Sequence, residues 1–367
     1  MAETPLPDAL AAELDAAVRS VLPQVAAPGV IAGIRTPEGY WKAAYGLADP
    51  DSGAPMEPGM FTRIGSVTKT YTGTILMQLA ERGLLSLDDT IGTYVAGIPN
   101  GGRITLRELA NMTSGVISYT VLDSFQHQLF GHPDTVFTTE QLLGYAIPES
   151  PLFEPGDRFD YSNSNIVLLG LVIEKVAGEP LAELYRQGIF GPLGISDTFS
   201  PGTSPDLPDP HPQGFTLQGL EDHPEAAANA TGWNPSWSWA TGDLVSTIDD
   251  LLVYGRALGT GQGLLGAAAQ EARLTAFPEP LGYGIALGCV DGWIGHGGSE
   301  PGFTTTLFYD TASDTTVAVQ ANSDILSGDC GDADVLPGNS ADYACYTPAV
   351  RVFTALSAAL GHEYTGH

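Results

Sequence analysis

Ser66 and Lys69 stand three residues apart in Gly65-Ser66-Val67-Thr68-Lys69, at the head of a stretch with helical periodicity. From Val67 to Arg82, apolar side chains recur at Val67, Tyr71, Ile75, Leu76 and Leu79, and Gly83 ends the run, which predicts a helix that starts at Ser66. Residues i and i+3 on a helix are surface neighbours, so an amine at 69 reaches the oxygen at 66. Free N–H groups and the positive end of the helix dipole favour negative charge at the same place. A free serine is a poor nucleophile, and a neighbouring amine that takes its proton activates it for covalent chemistry at a carbonyl carbon. The tetrapeptide alone says little, because Ser is also a common helix N-cap.

Two further segments add chemistry. Phe159-Asp160-Tyr161-Ser162-Asn163 precedes a helical run from Ile166 to Ala177, and Gly295-His296-Gly297-Gly298-Ser299 lies between strand-like pieces at Gly282 to Val290 and Thr304 to Tyr309. The order S-x-x-K, then Y-x-N about a hundred residues on, then [KH]-[TSG]-G near the C-terminus resembles the penicillin-recognising serine hydrolases. That group includes class C β-lactamases, secreted D-alanyl-D-alanine carboxypeptidases and related esterases. The resemblance spreads over about residues 25 to 325, taking in Ile104-Thr105-Leu106-Arg107-Glu108-Leu109, Thr113-Ser114-Gly115 and Gly242-Asp243-Leu244-Val245-Ser246-Thr247, which looks like the family's helix start before the third motif.

The resemblance implies an α/β (α+β) β-lactamase/transpeptidase-like fold: a mainly antiparallel sheet flanked by helices, with an inserted all-helical lobe. It would divide the chain into a discontinuous α/β lobe, residues 1–83 and 240–367, and a mainly helical lobe, residues 84–239, with the site between them. It also implies roles. Ser66 forms an acyl-enzyme, and Lys69 and Tyr161 share the proton, either being a candidate base. Tyr161 would activate water for deacylation if its phenol were partly ionised, and two cations, Lys69 and a protonated His296, would lower its pKa. Asn163 would hold a substrate amide and orient Lys69. The oxyanion would meet the backbone N–H groups of Ser66 and Ser299, with Gly297 and Gly298 letting the strand approach the ligand closely. Trp237 would line the pocket, with Phe125 as a candidate for the opposite wall. Expected partners are small-molecule or peptide substrates with an amide or ester, and β-lactams as covalent ligands. No cofactor is implied.

The third motif departs from the carboxypeptidase pattern. His296-Gly297-Gly298 replaces His-Thr-Gly, and Leu287-Gly288-Cys289 stands where those enzymes carry an arginine near the end of the preceding strand. Both losses weaken a site for a substrate carboxylate. Three functions follow in order: a D-alanyl-D-alanine carboxypeptidase-like peptidase, an esterase or amidase, and a penicillin-binding protein acylated without turnover.

The elements that must position these residues are readable in outline. Residues 5 to 21 pattern as an amphipathic helix, Gly29 to Arg35 and Tyr40 to Tyr45 as strands around Pro37-Glu38-Gly39, Thr315 to Gln320 as a strand, and Pro348 to Leu360 as a last helix. Gly261-Gln262-Gly263-Leu264-Leu265-Gly266 fits G-x-G-x-x-G but follows a helix, which argues against a dinucleotide site. The seven histidines show no metal-ligand spacing, and His127, His132, His211 and His223 read as loop residues.

Composition bounds the rest. The 367 residues carry 43 acidic and 14 basic side chains, a formal charge of −29, which argues against nucleic acid and anionic membrane surfaces. No apolar run is long enough to cross a bilayer, and Met1-Ala2-Glu3-Thr4-Pro5 has no hydrophobic leader, so the chain reads as cytosolic or already trimmed. Cys330 and Cys345 bracket a Gly/Asp/Pro-rich loop that a disulfide would order, leaving Cys289 free. Cys289–Cys345 and three thiols are the alternatives, and the favoured pairing tilts the reading toward a secreted or cell-envelope protein.

Overall fold

The computed structural model describes residues 4–220, 226–274 and 282–365. Its strands are β1 (Gly29–Arg35), β2 (Tyr40–Asp49), β3 (Ala54–Pro55), β4 (Thr62–Arg63), β5 (Phe215–Thr216), β6 (Ala228–Asn229), β7 (Val245–Ser246), β8 (Gly288–Val290), β9 (Trp293–Glu300), β10 (Phe303–Asp310) and β11 (Thr315–Ala321). The α-helices are α1 (Asp8–Val21), α2 (Thr68–Glu81), α3 (Leu106–Ala110), α4 (Asp123–Gly131), α5 (Thr139–Ala146), α6 (Asn163–Ala177), α7 (Leu181–Tyr185), α8 (Gly191–Leu193), α9 (Ile248–Thr260), α10 (Ala267–Leu274) and α11 (Pro348–Ala359).

One seven-stranded sheet, in the order β3-β2-β1-β11-β10-β9-β8, joins the two ends of the chain. Every ladder in it is antiparallel, including β1 on β11 with Val30 opposite Ala321. This is the flanked antiparallel sheet of the β-lactamase/transpeptidase fold. β1 is central and covered on both faces, so its sequence Gly-Val-Ile-Ala-Gly-Ile-Arg is almost continuously apolar. Val30, Ala32 and Ile34 face α1 and α11 in a core with Leu14, Val18, Trp293 and Phe353. Ile31 faces the other way, and Gly33 on that side leaves room for α9, because a Cβ there would stand 2.8 Å from Ile248.

The helix predicted from Val67 forms as α2, preceded by a 3₁₀ turn at Gly65–Val67 that carries Ser66. It is not a surface helix with one apolar face. Thr68 through Met77 are all buried, threonines included, since α2 runs through the middle of the molecule between the sheet, α6 and α9. Those hydroxyls are satisfied locally: Thr70 donates to the Val67 carbonyl, Thr74 to the Thr70 carbonyl, and Thr72 to the Ala240 carbonyl, each at 2.7 Å.

Other boundaries move for physical reasons. The strand read at Gly282 to Val290 shortens to Gly288–Val290, whereas the glycine-rich motif read as lying between strands is itself strand β9, held by its ladder to β10. Gly242 to Thr247 is not a helix start, because Val245–Ser246 pairs with β4 and Thr247 is the N-cap of α9. His127 lies in α4 and not in a loop, and His223 falls outside the described residues. Gly261 caps α9 in the left-handed conformation, so the glycine-rich stretch there terminates a helix.

Cys330 and Cys345 are disulfide-bonded and Cys289 is free. Among the described residues, no helix is long and apolar enough to cross a membrane, and no cluster of His, Cys, Asp and Glu is arranged to hold a metal.

Candidate active site

Two glycines let the Ser66 turn lie against β9. Gly65 has φ +51°, a left-handed conformation, and a Cβ on it would stand 2.6 Å from the Ser299 nitrogen. A Cβ on Gly298 would stand 1.9 Å from the Ile64 oxygen and 3.0 Å from the Ser66 nitrogen. The backbone nitrogens of Ser66 and Ser299 are thereby brought to one small volume, the arrangement an oxyanion requires. β8 pairs with β9 only as far as Gly295, and among the described residues no strand covers that edge from His296 onward. Among the described residues, nothing lies within 4 Å of the missing Cβ of Gly297. The close approach therefore belongs to Gly298, and it is made to the Ile64–Ser66 backbone and not to a ligand.

Lys69 is fully buried, with Nζ 2.8 Å from Ser66 Oγ and 2.8 Å from the Thr241 carbonyl oxygen. Desolvation pulls its pKa down to about 7, with Glu300 acting in the opposite sense. A neutral amine here donates to the Thr241 carbonyl and keeps its lone pair for the Ser66 hydroxyl.

The Tyr161 hydroxyl reaches the Ser66 side chain, and Lys69 Nζ sits over the Tyr161 ring, 5.1 Å from its centroid. A third of Tyr161 is exposed, but desolvation of the phenol pushes its pKa up, against the hydrogen bond to Ser66. Neither group expected to lower it is held in its charged form. Burial, followed by the nearby Lys69, holds His296 down at about 3, so its ring is neutral, and Lys69 is itself near its midpoint at neutral pH.

Asn163 opens α6, where its backbone N–H donates to Ser118 Oγ at 3.0 Å and its Nδ2 to Thr120 Oγ1 at 3.1 Å. It does not hold Lys69; the Thr241 carbonyl does. Its Oδ1 is buried without a partner. Trp237 is half-buried, and its carbonyl accepts from the Tyr119 hydroxyl at 2.7 Å. Phe125 is not a pocket wall. At 1% exposure it is locked among Tyr119, Phe137 and Tyr145, with ring centroids 4.9 to 5.5 Å away, because α4 turns that face into the core.

Several residues at the site were not among those predicted to form it. The Tyr283 hydroxyl lies 3.1 Å from His296 Nε2 and its ring meets Tyr161 edge-on at 6.1 Å. Arg63, Asp243 and Glu300 form a buried ionisable group behind Lys69. Only unusual polarity inside apolar surroundings could have flagged them. Beyond Ser299, a cavity of about 320 Å³ is lined by Gln218, Asp324, Asp334 and Thr347 among others, with no basic side chain among the described residues.

The Beta-lactamase family model matches residues 10–336. The chain belongs to this family. Penicillin-binding protein 4* of Bacillus subtilis is 26% identical over 289 residues, which span 72% of this chain and 61% of that protein's length. Esterase EstB of Burkholderia gladioli is 30% identical over 202 residues, 51% of each chain. Among solved structures, a D-stereospecific amidohydrolase from Streptomyces sp. superposes with a TM-score of 0.78 and 31% identity, covering 87% of this chain and 95% of that one. The D-amino acid amidase of Ochrobactrum anthropi SV3 shares the fold, with a TM-score of 0.80 at 22% identity over 96% of this chain and 99% of that one. The family is thus the penicillin-recognising serine hydrolases that the three motifs resemble.

Proposed function

We propose that the protein is a serine hydrolase that cleaves amide or ester bonds through a Ser66 acyl-enzyme, acting on D-amino-acid amides, esters and peptides more readily than as a strict D-alanyl-D-alanine carboxypeptidase. The 2.8 Å contact between Ser66 Oγ and an amine held near its midpoint at neutral pH carries the reading. Neutral Lys69 takes the hydroxyl proton as Oγ bonds the carbonyl carbon, and the oxyanion is met by the N–H groups of Ser66 and Ser299. Tyr161, protonated and next to Ser66, passes a proton to the departing nitrogen or oxygen as the bond to the carbonyl carbon breaks. The Lys69 ammonium returns its proton to the Tyr161 phenolate; water then attacks the acyl carbon and gives one proton to this pair, and Ser66 Oγ takes one back from it as the acyl–oxygen bond breaks.

The substrate class rests on what stands beside Ser299. A carboxypeptidase must hold a terminal carboxylate, yet the cavity there presents Asp324 and Asp334, Gly297 offers no hydroxyl, and Leu287-Gly288-Cys289 supplies no cation where the carboxypeptidase pattern has an arginine. The relation to a D-stereospecific amidohydrolase favours D-configured acyl groups. The second reading, a carboxypeptidase, keeps support from the penicillin-binding relatives. The bonded Cys330–Cys345 pair supports a secreted or cell-envelope protein.

The deciding experiment measures D-alanyl-D-alanine peptides, D-amino-acid amides, p-nitrophenyl esters and a chromogenic cephalosporin side by side, with Ser66→Ala as control. Turnover of amides and esters that vanishes in Ser66→Ala is the expected result. Activity confined to the free-acid peptides would favour the carboxypeptidase.

A further inference from the structure

Glu300 ends β9 one residue past Ser299 and faces the opposite way, being 4% exposed where Ser299 is exposed. Its Oε1 lies 2.4 Å from where Gly242 would carry a Cβ, and its carboxyl is hydrogen-bonded to the Ser238 side chain. Ser238 and Gly242 flank the 3₁₀ turn Trp239–Thr241, which presents the Thr241 carbonyl to Lys69 Nζ.

Arg63 lies behind this turn, 3% exposed. Its Nη2 donates to the carbonyls of Pro205 at 2.7 Å and Trp233 at 3.2 Å, while Nη1 has no partner. Asp243, also 3% exposed, accepts from Ser200 Oγ at 2.5 Å on Oδ2 and leaves Oδ1 bare. A buried guanidinium needs negative charge near it, and two buried carboxyls resist ionising together. Burial pushes both the Asp243 and the Glu300 carboxyls up, while Arg63 acts on both in the opposite sense.

We propose that Glu300 is a positioning residue for the Lys69 amine, bracing the turn that holds Nζ and sharing one negative charge with Asp243 against Arg63. This rests on Ser66 and Lys69 acting as proposed above. The titratable groups facing Lys69 are Glu300 and His296 from β9 and Tyr161 from the segment before α6, while Asp243, Arg63 and Tyr119 face Glu300. His296 and the phenols are neutral near pH 7. The charge felt by the amine is therefore set by how Glu300 and Asp243 divide theirs.

The test follows the rate of Ser66 labelling by a fluorophosphonate as a function of pH, after thermal melts confirm that the variants fold. Glu300→Gln keeps the shape and removes the charge that favours the ammonium, so the acidic limb moves to lower pH by at least about 0.5 unit, about threefold in rate on the limb. Asp243→Asn leaves Glu300 as the partner of Arg63 and moves the limb to higher pH. Structural damage alone would lower the rate at every pH and leave the limb in place. Opposite shifts support the proposal, whereas shifts in one direction, or none, overturn it. If Glu300→Gln melts too low to assay, Glu300→Asp, which keeps the charge but withdraws it by one methylene, replaces it and must also move the limb downward. Labelling that persists in Ser66→Ala would show that the nucleophile is misassigned, an outcome separate from an unmoved limb.

Discussion

Gly298 and Ser66 meet through a side chain that is not there: a Cβ on Gly298 would stand 3.0 Å from the Ser66 nitrogen and 1.9 Å from the oxygen of Ile64. Both obstacles are backbone, so neither can rotate away. Gly298→Ala should displace the Ser66 turn from β9, lowering kcat/KM by about a hundredfold or more, about 2.7 kcal/mol of transition-state binding. Stability should fall by about 1–3 kcal/mol, as for other overpacked sites. Steady-state kinetics with a denaturant melt checks both, and wild-type kinetics would contradict the tight approach.

Gly297 is the opposite case, with open space among the described residues where its side chain would be. Gly297→Thr should fold like the wild type and supply the hydroxyl that the His-Thr-Gly pattern of carboxypeptidases has at this position. In the wild type, masking a substrate's terminal carboxylate as an amide or ester should cost little in kcat/KM. In Gly297→Thr the free acid should gain at least about fivefold over its masked analogue, about 1 kcal/mol. A wild-type penalty of about a hundredfold for masking would show that another group already binds the carboxylate.

Tyr161 and Phe125 should separate cleanly. Tyr161→Phe deletes a hydroxyl at Ser66 from a ring that is a third exposed, so kcat should fall by about 10²–10⁴ with the melting temperature nearly unchanged. Phe125→Ala empties the centre of an aromatic cluster and should cost about 3–5 kcal/mol of stability. Its kcat/KM, measured well below the lowered melting temperature, should change far less than that of Tyr161→Phe. The reverse outcome would put Phe125 at the substrate.

The pH profile should report Lys69. Its folded pKa, about 7, lies below the ordinary 10.5 because burial penalises the ammonium, and the neutral amine is the base. The rate of acylation should therefore rise with pH, tenfold per unit, up to a bend near 7 and level off above it. Tyr161, raised by burial, and His296, near 3, have no transition in that window. A profile that bends near 10 would mean that Lys69 is charged in the resting protein.

The sequence by itself determined the local features. Ser66 and Lys69 are neighbours because i and i+3 on a helix always are, and the central strand Gly29–Arg35 is legible because burial on both faces demands an unbroken apolar run. The family is legible too, because three short motifs keep their order along the chain. What only the tertiary structure decided depends on contacts across long separations. Lys69 is held by a carbonyl 172 residues away, Tyr283 joins Tyr161 through His296, and Glu300 faces Arg63 and Asp243 behind the nucleophile. None of these pairings follows from spacing, because each is set by which strands and turns pack together. The pKa values follow the same rule. Whether Lys69 or Tyr161 titrates near neutrality depends on desolvation and on the charge state of His296, and both exist only once the chain has closed around them.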